Sequence, residues 1–255
     1  MRIAVVAGAS SGIGRAVASE LCRKQAGTFD ELRLVARNAE GLKRTAEMCG
    51  YANVRLVEGN LRDPETLKKA AYADPGDVVT WLVISAGTGY YGDFKEESPE
   101  QREEVIDLNC RVNAAVISAF LPLCVRGTRI VNIASAAAFS PQPGFAVYAA
   151  SKAFVLSLSE AIGYELKKEG ITVTAVCPGP CDTDFLKKAR EGRPVPAFKQ
   201  KSMTTPEKVA EKAVKAAAKG KRICVPTLRM KIARAAAGFL PAEAVMAVLY
   251  KGNGK

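Results

Sequence analysis

The sequence predicts an α/β fold, a doubly wound parallel sheet of about seven strands with helices on both faces. Three observations predict it. Apolar, branched runs recur along the chain, segments with helix-terminus signals separate them, and a glycine-rich turn joins the first run to the first helix. A strand covered on both faces has no polar side to alternate with, so near-continuous apolar runs are what a buried parallel sheet requires.

The elements follow in order. RIAVVAG opens the chain and ends in a turn where Gly8, Gly12 and Gly14 take the spacing G-x3-G-x-G before an amphipathic helix. Missing side chains permit the tight turn and let the backbone at Ser10, Ser11 and Ile13 approach a pyrophosphate at the helix N-terminus. The second run, LRLVAR, closes on Ala36 and Arg37. An acidic residue there would hold the ribose 2′-hydroxyl of NAD and repel a 2′-phosphate, so the arginine favours NADP(H) over NAD(H). NVRLVEG leads to Asn60 and Leu61, and Asp63-Pro64 then offers an N-cap with proline at the first helical position. DVVTWLVISAG brings Ser85, Ala86 and Gly87 to the same sheet edge, and the following GTGYYGDF supplies Tyr90 and Tyr91 as candidate pocket walls. Ser98-Pro99 with Gln101 forms a capping-box pattern.

TRIVNIAS ends at Ser135, and YAASKAF then places Tyr148 and Lys152 one turn apart on one helix face. Gly170, after Lys167 and Lys168, stops that helix. ITVTAVCPG leads through Pro178 and Gly179 to Thr183. Residues 184–204, with Gly192, Pro194 and Pro196, are expected to form a substrate lid; their lysines and arginines would favour an anionic substrate. Thr205-Pro206 caps a further helix, RICVP gives the last strand, and residues 221–255 form a basic C-terminal segment. One domain is expected to span 1–255.

The composition excludes several chemistries. With no histidine, neither a Ser-His nor a Cys-His nucleophile system nor a His-ligated metal can be built from this chain. The seven scattered cysteines form no second pair to complete a zinc site, so no metal is expected; thiols in apolar company predict a cytoplasmic protein. No apolar run is read as a membrane span, and no stable membrane insertion is expected. Of the net charge of +11, residues 199–255 hold ten lysines and three arginines against three glutamates. Few aromatics accompany that charge, so no nucleic-acid partner is expected. The run LRMKIARAAAGFLPAEAVMAVLY is expected to be buried against the domain or a sister subunit, not docked on a membrane surface.

Together these motifs resemble the short-chain dehydrogenase/reductase family in its shorter form, over roughly residues 1 to 190. The family's Tyr-x3-Lys pair matches Tyr148 and Lys152, its serine thirteen positions earlier matches Ser135, and its asparagine matches Asn109 in VIDLNCRVN. The sequence departs from the family at Ala7, Ile84, Ser85 and Asn60, where Thr, two asparagines and an Asp beside the cofactor are usual. The resemblance implies a Rossmann-type sheet with the dinucleotide at Gly8, Ser10, Ser11, Gly12, Ile13, Gly14, Arg37, Asn60, Leu61, Ala86, Gly87, Tyr148, Lys152, Pro178, Gly179 and Thr183. It also implies catalysis by Asn109, Ser135, Tyr148 and Lys152, with Asn109 anchoring a water that relays protons to Lys152, and a homodimer or homotetramer formed through the helices after Ser98 and around Tyr148.

The chemistry agrees with those residues. Interconverting a carbonyl and an alcohol needs a hydride carrier and a proton donor beside the oxygen, and a free tyrosine with pKa of about 10 cannot cycle near neutrality unaided. A shift of about three units, or about 4 kcal/mol, is within reach of a cation one turn away together with an oxidised nicotinamide. A non-catalytic NADP-sensing or regulatory protein on the same fold is the alternative, since fold does not fix function. The extended relatives that epimerise or dehydrate nucleotide sugars are disfavoured by the short chain and the glycine spacing.

Overall fold

The computed structural model describes residues 1–190, 200 and 203–252. Positions 191–199 and 201–202 of the expected lid, with Arg193, Lys199 and Lys201, lie outside the described residues, as do 253–255 of the basic segment. The strands are β1 (Arg2–Ala7), β2 (Glu31–Ala36), β3 (Val54–Glu58), β4 (Val78–Ile84), β5 (Cys124–Ile133), β6 (Thr172–Val176) and β7 (Ile223–Cys224). They form one seven-stranded sheet in the order β3-β2-β1-β4-β5-β6-β7, and each adjacent pair is parallel. Order reverses between β1 and β4, which opens a crevice at the C-terminal ends of the strands.

Helices α1 (Gly12–Gln25), α2 (Ala39–Cys49) and α3 (Pro64–Ala71) follow the first three strands. α4 (Pro99–Ile106), a π turn (Asp107–Arg111) and α5 (Val112–Phe120) precede β5, and α6 (Ala146–Glu165) precedes β6. α7 (Asp184–Arg190), α8 (Pro206–Ala218), α9 (Leu228–Phe239) and α10 (Ala242–Gly252) complete the described chain. The termini form where the sequence signals them. Asp63 accepts from Glu65 N, Thr205 from Lys208 N, and Ser98 with Gln101 makes a reciprocal capping box. Gly170, at φ +77°, receives the end of α6 after one 3-10 turn.

The two-residue period of β1 separates two cores. Ala4 and Val6 pack with Val17 and Leu21 of α1 and Val209 and Ala213 of α8. Ile3, Val5 and Ala7 pack with Val112, Val116 and Phe120 of α5. Each of the valine, leucine, isoleucine and phenylalanine side chains contributes about 1.5–3 kcal/mol when withdrawn from water. β2 holds a charge the apolar reading passes over: Arg33 is buried, pairs with Glu31 and donates to the carbonyl of Ala70 at 3.0 Å.

The structure bears on two sequence expectations. The continuous helix Pro99–Leu123 is, by length and composition, apolar enough to cross a membrane. Val105, Val112, Val116, Ile117 and Phe120 on it are nevertheless buried in the protein, while its first half carries Arg102, Glu103 and Glu104. The first part of the C-terminal run is not buried against the domain: α9 has no buried residue. Its charged Arg229, Lys231 and Arg234 are spaced around the axis between the side that carries Met230 and Ala233 and the side that carries Leu228, Ile232 and Phe239. All seven cysteines are free thiols.

Candidate active site

The turn after β1 is built from removed side chains. Gly8 has φ +84°, and a Cβ there would lie 2.5 Å from the backbone nitrogen of Ala86, so β1 can meet the end of β4 only through glycine. A Cβ on Gly14 would lie 2.1 Å from the Gly8 carbonyl, which sets the close packing of α1 under the turn. Arg15 donates to the Ser10 carbonyl, and Thr45 donates to that of Ala9 at 2.8 Å, tying the turn to α2. Ser11, the N-cap of α1, makes no side-chain capping bond, and the first turn holds no acid. An uncapped helix end beneath a glycine cradle fits the pyrophosphate of a dinucleotide.

From this turn a cleft of about 710 Å³ runs along the strand ends. Gly8, Ser10, Ser11, Gly12, Ile13, Arg37, Asn60, Leu61, Ala86, Gly87, Ser135, Tyr148, Lys152, Pro178, Gly179 and Thr183 all line it. Gly14 and Asn109, by contrast, lie behind the wall. Arg37 is exposed at the lip beside Ala36 and Asn38. A nicotinamide dinucleotide would be held by the glycine turn, by the ends of β2 and β4, and by Pro178 to Thr183.

The far half of the cleft is aromatic. Tyr91 stacks on Phe145 at 3.8 Å between centroids, Phe145 stacks on Tyr148 at 4.1 Å, and Phe185 stands 5.5 Å from Tyr148. Burial pushes the Tyr148 phenol well above its ordinary pKa, against the opposing effect of a hydrogen bond with Ser135. Lys152 is buried on the same helix face, donates to the carbonyl of Ile133 at 2.9 Å, and places Nζ 5.7 Å from the centre of the Tyr148 ring. Desolvation brings its pKa down to about 8. Without a dinucleotide, burial therefore outweighs the expected acidification of the phenol by its neighbour.

Asn109 sits in the π turn, a local widening of the helix common at functional sites. Its Oδ1 accepts from Thr88 N at 2.9 Å, and its Nδ2 donates to Thr88 O at 2.8 Å and to Ser151 Oγ at 2.9 Å. The side-chain amide therefore fixes the loop after β4 and takes its partners from the protein. Among the lid cations, Lys188 lines the cleft, whereas Arg190 is buried with its guanidinium 4.8 Å from the centre of the Tyr91 ring. Arg190 thus belongs to packing and is not presented to an anionic substrate.

Three contributors escape sequence reasoning. A Cβ on Gly89 would stand 2.5 Å from Tyr148 Cδ2, so this glycine clears room for the ring. Ser151 accepts from Asn109 Nδ2 and orients it. Met230 and Ala233 of α9 close the cleft from a distant part of the chain. Only the glycine spacing in GTGYYG hinted at the first, and nothing in the sequence pointed to the last.

Residues 2–194 match the family model for short chain dehydrogenases. Among curated proteins, the chain is 33% identical over 219 residues to the glycine betaine reductase of Emericella nidulans, covering 82% of this chain but only 17% of that protein's length. It is 31% identical over 185 residues to an uncharacterized oxidoreductase of Staphylococcus epidermidis, covering 71% of this chain and 79% of the other. A short-chain dehydrogenase from Sphingobium yanoikuyae, solved in complex with NADPH, superposes with a TM-score of 0.76 at 26% identity, covering 97% of this chain and 96% of that one. A short chain dehydrogenase from Mycobacterium paratuberculosis bound to NAD shares the fold, with a TM-score of 0.72 at 24% identity over 87% of this chain and 94% of the other.

Proposed function

Because the chain belongs to the short chain dehydrogenase family, we propose that it is an NADP(H)-dependent oxidoreductase interconverting a ketone or aldehyde with its alcohol. The observation that carries this reading is the convergence of Ser135, Tyr148 and Lys152 on one cleft that begins at an uncapped, glycine-built helix end. The bound dinucleotide supplies the hydride to the carbonyl carbon. Ser135 donates a hydrogen bond to the substrate oxygen, and Tyr148 gives that oxygen its phenolic proton. Burial favours the protonated phenol, the form that reduction consumes. The Lys152 ammonium, on the same helix face, stabilises the phenolate left behind until a proton from solvent restores the phenol. Asn109 acts as a positioning residue through Thr88 and Ser151.

Preference for NADP(H) rests on Arg37 at the lip, where a guanidinium suits a 2′-phosphate and no acid follows β2 to repel it. The aromatic half suits an apolar carbonyl substrate. Exposed Ile106 on α4, with Phe154 and Tyr164 on α6, supports a homodimer or homotetramer formed through those helices. Free thiols, and the packing of Val112, Val116, Ile117 and Phe120 of the one span-like helix among the described residues into the core, support a soluble, cytoplasmic enzyme.

The test is turnover. A panel of steroids, acyl thioesters, sugars and small ketones should include a carbonyl that oxidises NADPH, with kcat/KM at least about tenfold above that for NADH. Tight NADPH binding with no turnover across the panel would favour the sensing protein instead.

A further inference from the structure

The C-terminal part of the chain presents an uncovered face. Between Glu211 and Glu243 the sequence carries eight lysines and arginines and no carboxylate, and α9 lies within that stretch. One side of α9 supplies Met230 and Ala233 to the cleft wall, and Arg234 lies 5.6 Å from the centre of the Phe139 ring. Away from that wall, Leu228, Ile232 and Phe239 are 71%, 62% and 90% exposed. Their spacing of four and seven places them on one helical stripe. Arg229 and Lys231 flank it.

A stripe of large apolar side chains left in water marks an interaction surface. The charge around it selects the partner. A second copy meeting this face across a two-fold axis would set each basic stretch against its own like charges. A bilayer with acidic headgroups answers both features, taking the apolar side chains among its acyl tails and the cations at its surface. We propose that α9 docks this protein on an anionic lipid surface, with Leu228, Ile232 and Phe239 entering the interface and Arg229 and Lys231 at the headgroups. Since the same helix closes the cleft, docking brings the cleft mouth toward the lipid.

Co-sedimentation of the full chain with vesicles tests this, using phosphatidylcholine alone or with about one-third phosphatidylglycerol at about 0.15 M salt. The protein should pellet with the anionic vesicles and bind the zwitterionic ones at least about tenfold less. The triple variant Leu228→Ser, Ile232→Ser, Phe239→Ser should lose about tenfold in binding while keeping the wild-type Tm, because these side chains are exposed. The double variant Arg229→Gln, Lys231→Gln should bind more weakly and with a shallower salt dependence, which gives a second readout if the triple variant does not fold. Wild-type protein left in the supernatant with anionic vesicles, even at about 0.05 M salt, would overturn the proposal. So would an oligomer that the triple variant dissolves with no vesicle binding in either protein, which would assign the face to a second copy.

Discussion

The two halves of the cleft are built in opposite ways. At the glycine end the protein removes side chains: Gly8 and Gly14 admit no Cβ, and the site consists of backbone and an open helix terminus. At the aromatic end it adds them, with Tyr91, Phe145, Tyr148 and Phe185 forming a row of rings around one buried phenol. A backbone site must keep its spacing in sequence because adjacent residues form it, whereas a side-chain site can gather residues from anywhere in the chain. The difference explains why the glycine half announces itself in sequence, whereas of the four rings only Tyr91 and Tyr148 do so and Phe145 and Phe185 do not.

Lys152, where the halves meet, sharpens the comparison most. Its folded pKa of about 8 lies below the value near 10.4 of an unfolded lysine. Between those values the unfolded chain binds more protons, so stability rises with pH through that window. The cost of burying the charged amine is present below pH 8 and is relieved above it. In the dinucleotide-free protein, unfolding by urea at pH 8 and pH 10 should show wild type gaining about 2 kcal/mol relative to Lys152→Met. A difference that does not change with pH would mean that the amine is hydrated in the folded protein.

A smaller contrast comes from two glycines. Gly8→Ala must fit a Cβ against backbone at a positive φ, so it should cost about 2 kcal/mol of stability and weaken dinucleotide binding. Gly89→Ala meets side chains and not backbone, the Tyr148 ring at 2.5 Å and the Phe145 ring at 3.2 Å, so it should cost less stability than Gly8→Ala yet lower kcat by about tenfold as the Tyr148 ring tilts. Denaturant melts beside kinetics on each variant check this. Equal stability losses with equal kinetic losses would erase the distinction between the halves.

Much of the fold was legible because the central strands β1, β2 and β4 are mostly buried on both faces and several helix starts are chemically marked, as at Asp63, Ser98 and Thr205. Ser135, Tyr148 and Lys152 were legible because one strand end and one helix turn fix their spacing. Arg33 was hidden inside an apolar run, since its partners, the carbonyls of Ala70 and Tyr72, belong to another part of the chain. The π turn at Asn109 leaves no local signature, and the contribution of α9 to the cleft depends on a contact between distant segments. The apolar content of the C-terminal run did not reveal that α9 leaves Leu228, Ile232 and Phe239 exposed, because hydrophobic content alone does not tell a buried face from an exposed one.

The central claim is that the Tyr148 phenol passes the proton while other groups hold the dinucleotide. Tyr148→Phe tests it most directly, with NADPH affinity measured by fluorescence titration and kcat/KM measured on the best carbonyl of the panel. The account predicts affinity within about threefold of wild type and kcat/KM lower by about a thousandfold or more. A variant that binds NADPH normally and reduces the carbonyl within about tenfold of the wild-type rate would contradict it.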